Sequence, residues 1–229
     1  MRAAEFITEI DRRGFLKGAA AGTAIGAAAP FAYNALTAKE PEPQPEPIRQ
    51  AAPPTVGLVV KSPAEKYLHD YAISKGINGI ELAALLAQCS HESSGFTKFE
   101  EDIPVGAKHP KFHFRKYDIK HNRPTAIKLG NIKPGDGYLY RGRRYIHLTG
   151  RDNYRIFGRK IGQPLEERPE LAADPKIAAQ IAVVYWKSRI QGRISDFSDV
   201  EAVTKPINSG LQGLGDRIRR FKEYMKGLG

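Results

Sequence analysis

The chain has 229 residues, of which 41% are apolar and 27% charged, enough to bury a core in one domain of ordinary size with extensions, which excludes a wholly disordered chain. A net charge of +11 and a pI near 9.7 point to anionic partners: nucleic acid, a lipid surface or an acidic wall polymer. The single cysteine, Cys89, excludes an internal disulfide.

Residues 1–38 read as an address. Arg12-Arg13-Gly14-Phe15-Leu16-Lys17 precedes an uncharged Ala- and Gly-rich run over residues 18–38. That order resembles the twin-arginine export signal of bacteria, which implies export machinery as a partner and export across the inner membrane into the periplasm. The run is just long enough to span a bilayer, but Ala and Gly contribute little insertion energy. Removal of the segment and its retention as a releasable membrane anchor are both open. Only one net positive charge falls within residues 1–38, so +10 belongs to the rest of the chain. Residues 39–61 contain Pro41, Pro43, Pro45 and Pro47 alternating with polar residues, an extended, semi-rigid spacer.

Residues 62–229 read as one folded, mainly α-helical domain. Ser62-Pro63-Ala64-Glu65 predicts a capping box opening a helix that stops at Gly76, and Asn78-Gly79-Ile80-Glu81 predicts a second start of the same kind. In this second helix Ile80, Leu82, Ala83, Leu85, Leu86 and Cys89 nearly encircle the axis, the pattern of a helix buried on most sides. Residues 104–136 are rich in Lys, His, Gly and Pro and weak in periodicity, so loops and short helices are expected there. Turn glycines then bracket a β-like run over 145–148, followed by a helix from Asp152 to about Lys160. Asp174-Pro175 predicts another helix start, with Trp186 in that helix's core. Ser198 to Glu201 predicts a further capping box, and a last basic helix spans residues 216–227.

Glu92 closes the apolar run of the second helix and Glu101 follows in a more polar stretch. Two carboxyls in unlike surroundings can divide the work of cleaving a glycosidic bond, one protonating the leaving oxygen and the other activating water. By spacing alone such a pair is non-specific, because most Glu pairs are solvated surface charges. A zinc helix of the His-Glu-x-x-His form fails because position 95 is Gly. His109, His113 and His121 do not make a ligand set, since Pro110 breaks the register and no Cys or spaced acid completes it, so no metal is expected. The aromatics and guanidinium groups interleaved over 138–154 suit saccharides, anionic groups or single-stranded nucleic acid.

Gln88 to Phe96, Arg141-Gly142-Arg143 to Tyr154, Pro169-Glu170-Leu171 with Asp174-Pro175, and Ile207-Asn208-Ser209-Gly210 with Asp216-Arg217-Ile218 occur in that order. Together they resemble glycoside hydrolase family 19, the chitinase family that also includes phage endolysins and related cell-wall lysozymes. The resemblance covers about residues 62–229. It implies a lysozyme-like, two-lobed helical fold with a small β element at the cleft. It further implies Glu92 as general acid, Glu101 as base, and Thr149 as the hydroxyl that helps Glu101 hold the attacking water. Asn153, Asn208 and Arg217 match residues that bind sugar or hold the cleft together; His91, Tyr140, His147 and Tyr154 are further candidate substrate contacts. Hydrolysis with inversion is implied, with no metal or cofactor. Where relatives carry Gly-x-Ile-Gln, this chain has Arg144-Tyr145-Ile146-His147, so His147 replaces a substrate-contacting glutamine and Arg144 a glycine.

The short interval from Glu92 to Glu101 matches the endolysin-like branch, and with the positive charge it favours peptidoglycan glycan strands as the partner. The expected function is hydrolysis of the wall's β-1,4 bonds by a monomeric endolysin- or lysozyme-type hydrolase. The alternatives are a chitinase with the same acid and base, and a non-catalytic wall-binding or virion structural protein. No nucleic-acid partner is expected, because no recognised binding motif accompanies the basic residues.

Overall fold

A computed structural model describes residues 60–98, 100, 101, 103 and 109–227. The expected export segment and nearly all of the expected spacer lie outside the described residues. Among those described, no helix is long and apolar enough to cross a membrane. Nine α-helices are described: α1 (Pro63–Ser74), α2 (Gly79–Glu92), α3 (Pro110–His113), α4 (Arg123–Lys128), α5 (Asp136–Leu139), α6 (Arg151–Ile161), α7 (Pro175–Trp186), α8 (Val200–Thr204) and α9 (Leu214–Lys226). Short 3-10 turns occupy Phe114–Tyr117, Arg144–Ile146 and Pro169–Ala173.

The helix starts follow local chemistry where the side chains are free to cap. Ser62 Oγ accepts from the Glu65 amide at 3.1 Å, and Asp174 accepts from the amides of Lys176 and Ile177 at 2.8 and 3.1 Å. Each satisfies amide groups the first turn would otherwise leave orphaned. Two expected capping boxes differ. Asn78 makes no side-chain cap; its amide turns back to the Gly76 carbonyl at 3.5 Å, and the Glu81 carboxylate, the other half of the box, accepts from the Trp186 indole N–H at 2.8 Å. The cap of α8 is Asp199, which accepts from Ala202 N at 2.9 Å, one residue beyond the expected Ser198.

The large lobe is built around α2, whose residues Leu82 to Ser90 are all buried. Leu82, Leu85 and Leu86 are at most 1% exposed, and burying each stabilises the fold by about 1.5–3 kcal/mol. The helices α1, α7 and α9 pack around this core, and Trp186 lies inside it. A second, smaller core made by Phe114, Tyr117 and Leu129, with Tyr138 against it, belongs to the segment between α3 and α5. Two cores make the two lobes.

The β element is reduced to two isolated antiparallel bridges, Glu100 with Arg143 and Arg143 with Leu148. The strand expected over 145–148 does not form. Arg144 and His147 lie in the left-handed region, at φ 50° and 46°, so the backbone coils into a 3-10 turn and Tyr145 and Ile146 are both buried rather than alternating between two faces. Arg144, at the position where the resemblance expects glycine, holds a glycine-like backbone angle.

Candidate active site

Glu92 is the last residue of α2, and its carboxylate is fixed from the far end of the chain. Arg217, on α9, donates through Nη2 to Glu92 Oε1, through Nη1 to Gln88 Oε1 at 2.5 Å, and through Nε to the Gln212 carbonyl at 3.3 Å. Gln88, one turn before Glu92, passes its amide N–H on to Thr204 Oγ1 of α8 at 3.0 Å. Arg217 is 1% exposed, whereas the Glu92 side chain is 16% exposed. Of the two, only the carboxyl is open to a ligand, and the guanidinium orients it from behind.

His91 Nδ1 meets Asp216 Oδ2 at 2.7 Å, joining the end of α2 to the start of α9. The imidazole lies against Gly213, where a Cβ would come within 2.2 Å of the ring; with φ 75° as well, position 213 admits only glycine without rearrangement. Burial pushes the Asp216 carboxyl up, but hydrogen bonds from Arg220, His91 and Arg219 outweigh that and hold it far below the usual carboxylate range. A carboxylate depressed in the folded state stabilises the fold above its unfolded pKa, near 3.8, and loses that contribution as pH falls through the folded value. Asp216→Asn should therefore unfold below the parent by a margin that is constant above about pH 5 and narrows below about pH 4. Melting curves from pH 2.5 to 7 test this, and a margin that widens in acid would contradict it.

Beyond α2 the chain reverses through Ser94, Gly95 and Phe96, all at left-handed φ, and Phe96 packs edge-on against Tyr145 at 5.3 Å. Glu100 then pairs with Arg141, whose Nη2 lies 2.7 Å from each carboxylate oxygen, and Glu101 N donates to the Gly142 carbonyl at 2.8 Å. Glu101 is buried. Its Oε1 accepts from Lys116 Nζ at 2.9 Å and Tyr117 OH at 3.2 Å, with His113 Nε2 at 3.7 Å, so the small lobe holds this carboxylate in place. A Cβ at Gly142 would stand 3.2 Å from Thr149 Oγ1, 3.2 Å from His147 Cβ and 3.4 Å from Glu101 Cβ. The absence of a side chain there lets Thr149, His147 and Glu101 converge. The Thr149 hydroxyl donates to the His147 carbonyl at 2.8 Å.

Several residues expected at the substrate face inward instead. Tyr154 is fully buried; its hydroxyl accepts from Arg143 Nη1 at 2.6 Å and donates to the Arg141 carbonyl at 2.7 Å, and burial pushes the phenol up to about 12, keeping it a donor. Tyr140 is 2% exposed and donates to the Glu166 carbonyl. Neither ring offers a face to a sugar, which corrects their expected role to one of support. Asn153 is buried and donates to the Thr149 carbonyl at 2.6 Å, Asn208 accepts from Gly210 N at 3.2 Å within its own turn, and Arg217 is the buried clamp just described. His91, His147 and Glu92 are partly exposed.

Sequence reasoning assigned no role to Gln88, Thr204, Lys116, Tyr117 or Asp216; Gln88 and Asp216 left a signal as members of the motifs quoted above, and Thr204, Lys116 and Tyr117 left none. Cys89 is buried and its thiol is pushed far up by burial, so it is a packing residue. His109 caps α3 by accepting from Lys111 N at 3.2 Å, and His121 lies 3.7 Å from Asp118. Among the described residues no group of His, Cys, Asp and Glu is placed to hold a metal ion.

Residues 70–207, more than half of the chain, match the sequence model of the glycoside hydrolase 19 family described as chitinase class I. A glycosyl hydrolase family 19 domain-containing protein of Haemophilus influenzae is 34% identical over 165 residues, covering 65% of this chain and 80% of that protein. An Arabidopsis thaliana endochitinase is 30% identical over 156 residues, covering 65% of this chain and 48% of its own; the chain spans about half the length of such plant relatives. Among solved structures, chitinase C from Streptomyces griseus superposes with a TM-score of 0.52 at 23% identity, covering 72% of this chain and 82% of that one. A class IV family 19 chitinase from Zea mays gives 0.51 at 20% identity, covering 78% and 87%. At those identities the likeness is one of fold.

Proposed function

Since this chain belongs to glycoside hydrolase family 19 and is a glycoside hydrolase, we propose that it cleaves the β-1,4 glycan of bacterial peptidoglycan. In this reading Glu92 gives its proton to the glycosidic oxygen as the bond to the anomeric carbon breaks. A water held by Glu101 and Thr149 attacks that carbon from the opposite face and loses its proton to Glu101, so the configuration inverts. Lys116 and Tyr117 hold Glu101 and Arg217 holds Glu92, so neither carboxyl group has to be ordered when substrate arrives.

The observation that carries the choice of an acidic wall polymer is the charge of +11, which a neutral glycan has no means to use. The N-terminal segment fits the same reading, delivering an endolysin- or lysozyme-type hydrolase through export machinery to the periplasm, with or without a period of membrane anchoring. A monomer without cofactor meets all its requirements. A second reading, chitin hydrolysis, has its own support in the relatives named as endochitinases.

Purified sacculi and colloidal chitin offered separately distinguish the two. Turbidity loss and muropeptide release from sacculi, with the new reducing ends appearing as the inverted anomer, are expected. Oligosaccharide release from chitin with sacculi left intact would replace the wall reading with the chitinase one. The masses of the released sugars identify which bond is cut.

A further inference from the structure

The positive charge is not spread evenly. Residues 109–133 hold seven Lys and Arg against a single acid, Asp118, a net of +6 out of the chain's +11. Lys111, Arg115, Lys120, Arg123, Lys128 and Lys133 are all exposed. Lys116 is the member of this group that turns inward, onto Glu101. Basic surfaces are usually balanced by neighbouring carboxylates, as Arg219 is by Asp216 and Glu223. Among the described residues no carboxylate is paired with Lys111 or Arg115.

Those two cations also have a built setting. With His109 and Phe112 they line a cavity of about 310 Å³. The Arg115 guanidinium lies 3.8 Å from the centre of the Phe112 ring, the His109 ring meets that ring edge-on at 6.0 Å, and Phe112 is 49% exposed. Lys111 Nζ stands 5.7 Å from the centre of the Tyr138 ring. At that distance the guanidinium lies over the ring, and a guanidinium restrained by an aromatic neighbour keeps N–H groups with which it can receive a carboxylate through two parallel hydrogen bonds. Arg115 is the immediate neighbour of Lys116, so this cavity and the support of Glu101 are made by one short turn.

We propose that the concavity formed by His109, Lys111, Phe112 and Arg115 is a subsite for the carboxylates carried by an anionic glycan strand, with Lys111 and Arg115 as its specificity-determining residues. The inference rests on the wall reading and deepens it. The small lobe would hold the strand by its acidic substituents while the neighbouring carboxylates act on its backbone, and a glycan without such groups would gain nothing from the subsite.

Binding is to be read in the Glu92→Gln background, so that hydrolysis does not enter, by co-sedimentation with purified sacculi whose carboxyls are either native or amidated. Amidation should weaken binding of the Glu92→Gln protein about 10-fold, the scale of one charge-assisted bidentate contact. Adding Lys111→Ala and Arg115→Ala should weaken binding to native sacculi by a similar factor and abolish the preference for native over amidated material. Lys205→Ala with Lys222→Ala removes the same charge from exposed positions of the large lobe and should retain that preference. Equal losses from the two double substitutions would reduce the effect to net charge and overturn the subsite. So would an undiminished preference in the Lys111/Arg115 variant, or equally tight binding to anionic phospholipid vesicles. The active enzyme separates the two levels: intact sacculi with the binding contrast present sink the wall reading alone, and hydrolysed sacculi without the contrast sink the subsite alone.

Discussion

Glu92→Gln should lower kcat on the natural glycan by about 10²–10⁴-fold, the range expected when a positioned general acid is removed, while shifting the unfolding midpoint only slightly. Glutamine keeps the shape of the side chain and a carbonyl oxygen that accepts from Arg217 Nη2, so the clamp to Gln88 and Thr204 survives. What disappears is the transferable proton. A structural lesion and a chemical one are thereby separated, because the first would move the melting temperature and the second would not. If the variant turned over at the parent rate, Glu92 would not be the acid. A non-catalytic wall-binding protein would show no turnover in either form and undiminished binding in both.

Arg217→Ala should destabilise the fold strongly. Its guanidinium is almost fully buried and is shared among Glu92, Gln88 and the Gln212 carbonyl. Removing it leaves the Glu92 carboxyl, the Gln88 amide oxygen and the Gln212 carbonyl without their shared donor and a cavity where the guanidinium stood, a loss of about 3–5 kcal/mol in all. In a domain of this size that corresponds to a fall of roughly 10 °C in Tm. Lys222→Ala, on the exposed face of the same helix, should stay within about 0.5 kcal/mol of the parent. Thermal or denaturant unfolding of the two variants side by side checks the contrast, and equal midpoints would remove Arg217 from its place in the fold.

What could be read from the amino-acid order depended on how far away the deciding contact lay. The starts of α1 and α7 were legible because Ser62-Pro63 and Asp174-Pro175 hold their capping chemistry within three residues. Asn78 and Glu81 carry similar lettering and behave differently: Trp186, 105 positions further on, holds the glutamate, and the Asn78 amide turns back to the Gly76 carbonyl. The run over 145–148 alternates plausibly for a strand, yet two residues at left-handed φ turn it inward, and nothing in Arg144 or His147 as residue types announces that. Tyr140 and Tyr154 lie in an arginine-rich stretch that suggests an open binding face. They are instead the internal props on which that stretch rests. Around Glu92, Gln88 and Arg217 belonged to recognisable motifs, whereas Thr204 was invisible because its role exists only once α8 lies against α2. Around Glu101, Lys116 and Tyr117 fell in a stretch of weak periodicity, and only the packing of the small lobe brings them to its carboxylate.

The clamp on Glu92 spans 125 positions of sequence, and this has a bearing on biosynthesis. A ribosome completes α2 long before α9, so the nascent chain carries Glu92 for the 125 positions between them without the guanidinium that aims it. A chain released early, before Leu214, would lack that partner altogether. The carboxyl at the end of α2 is in this way left unaimed until α9 has been made and folded back against it.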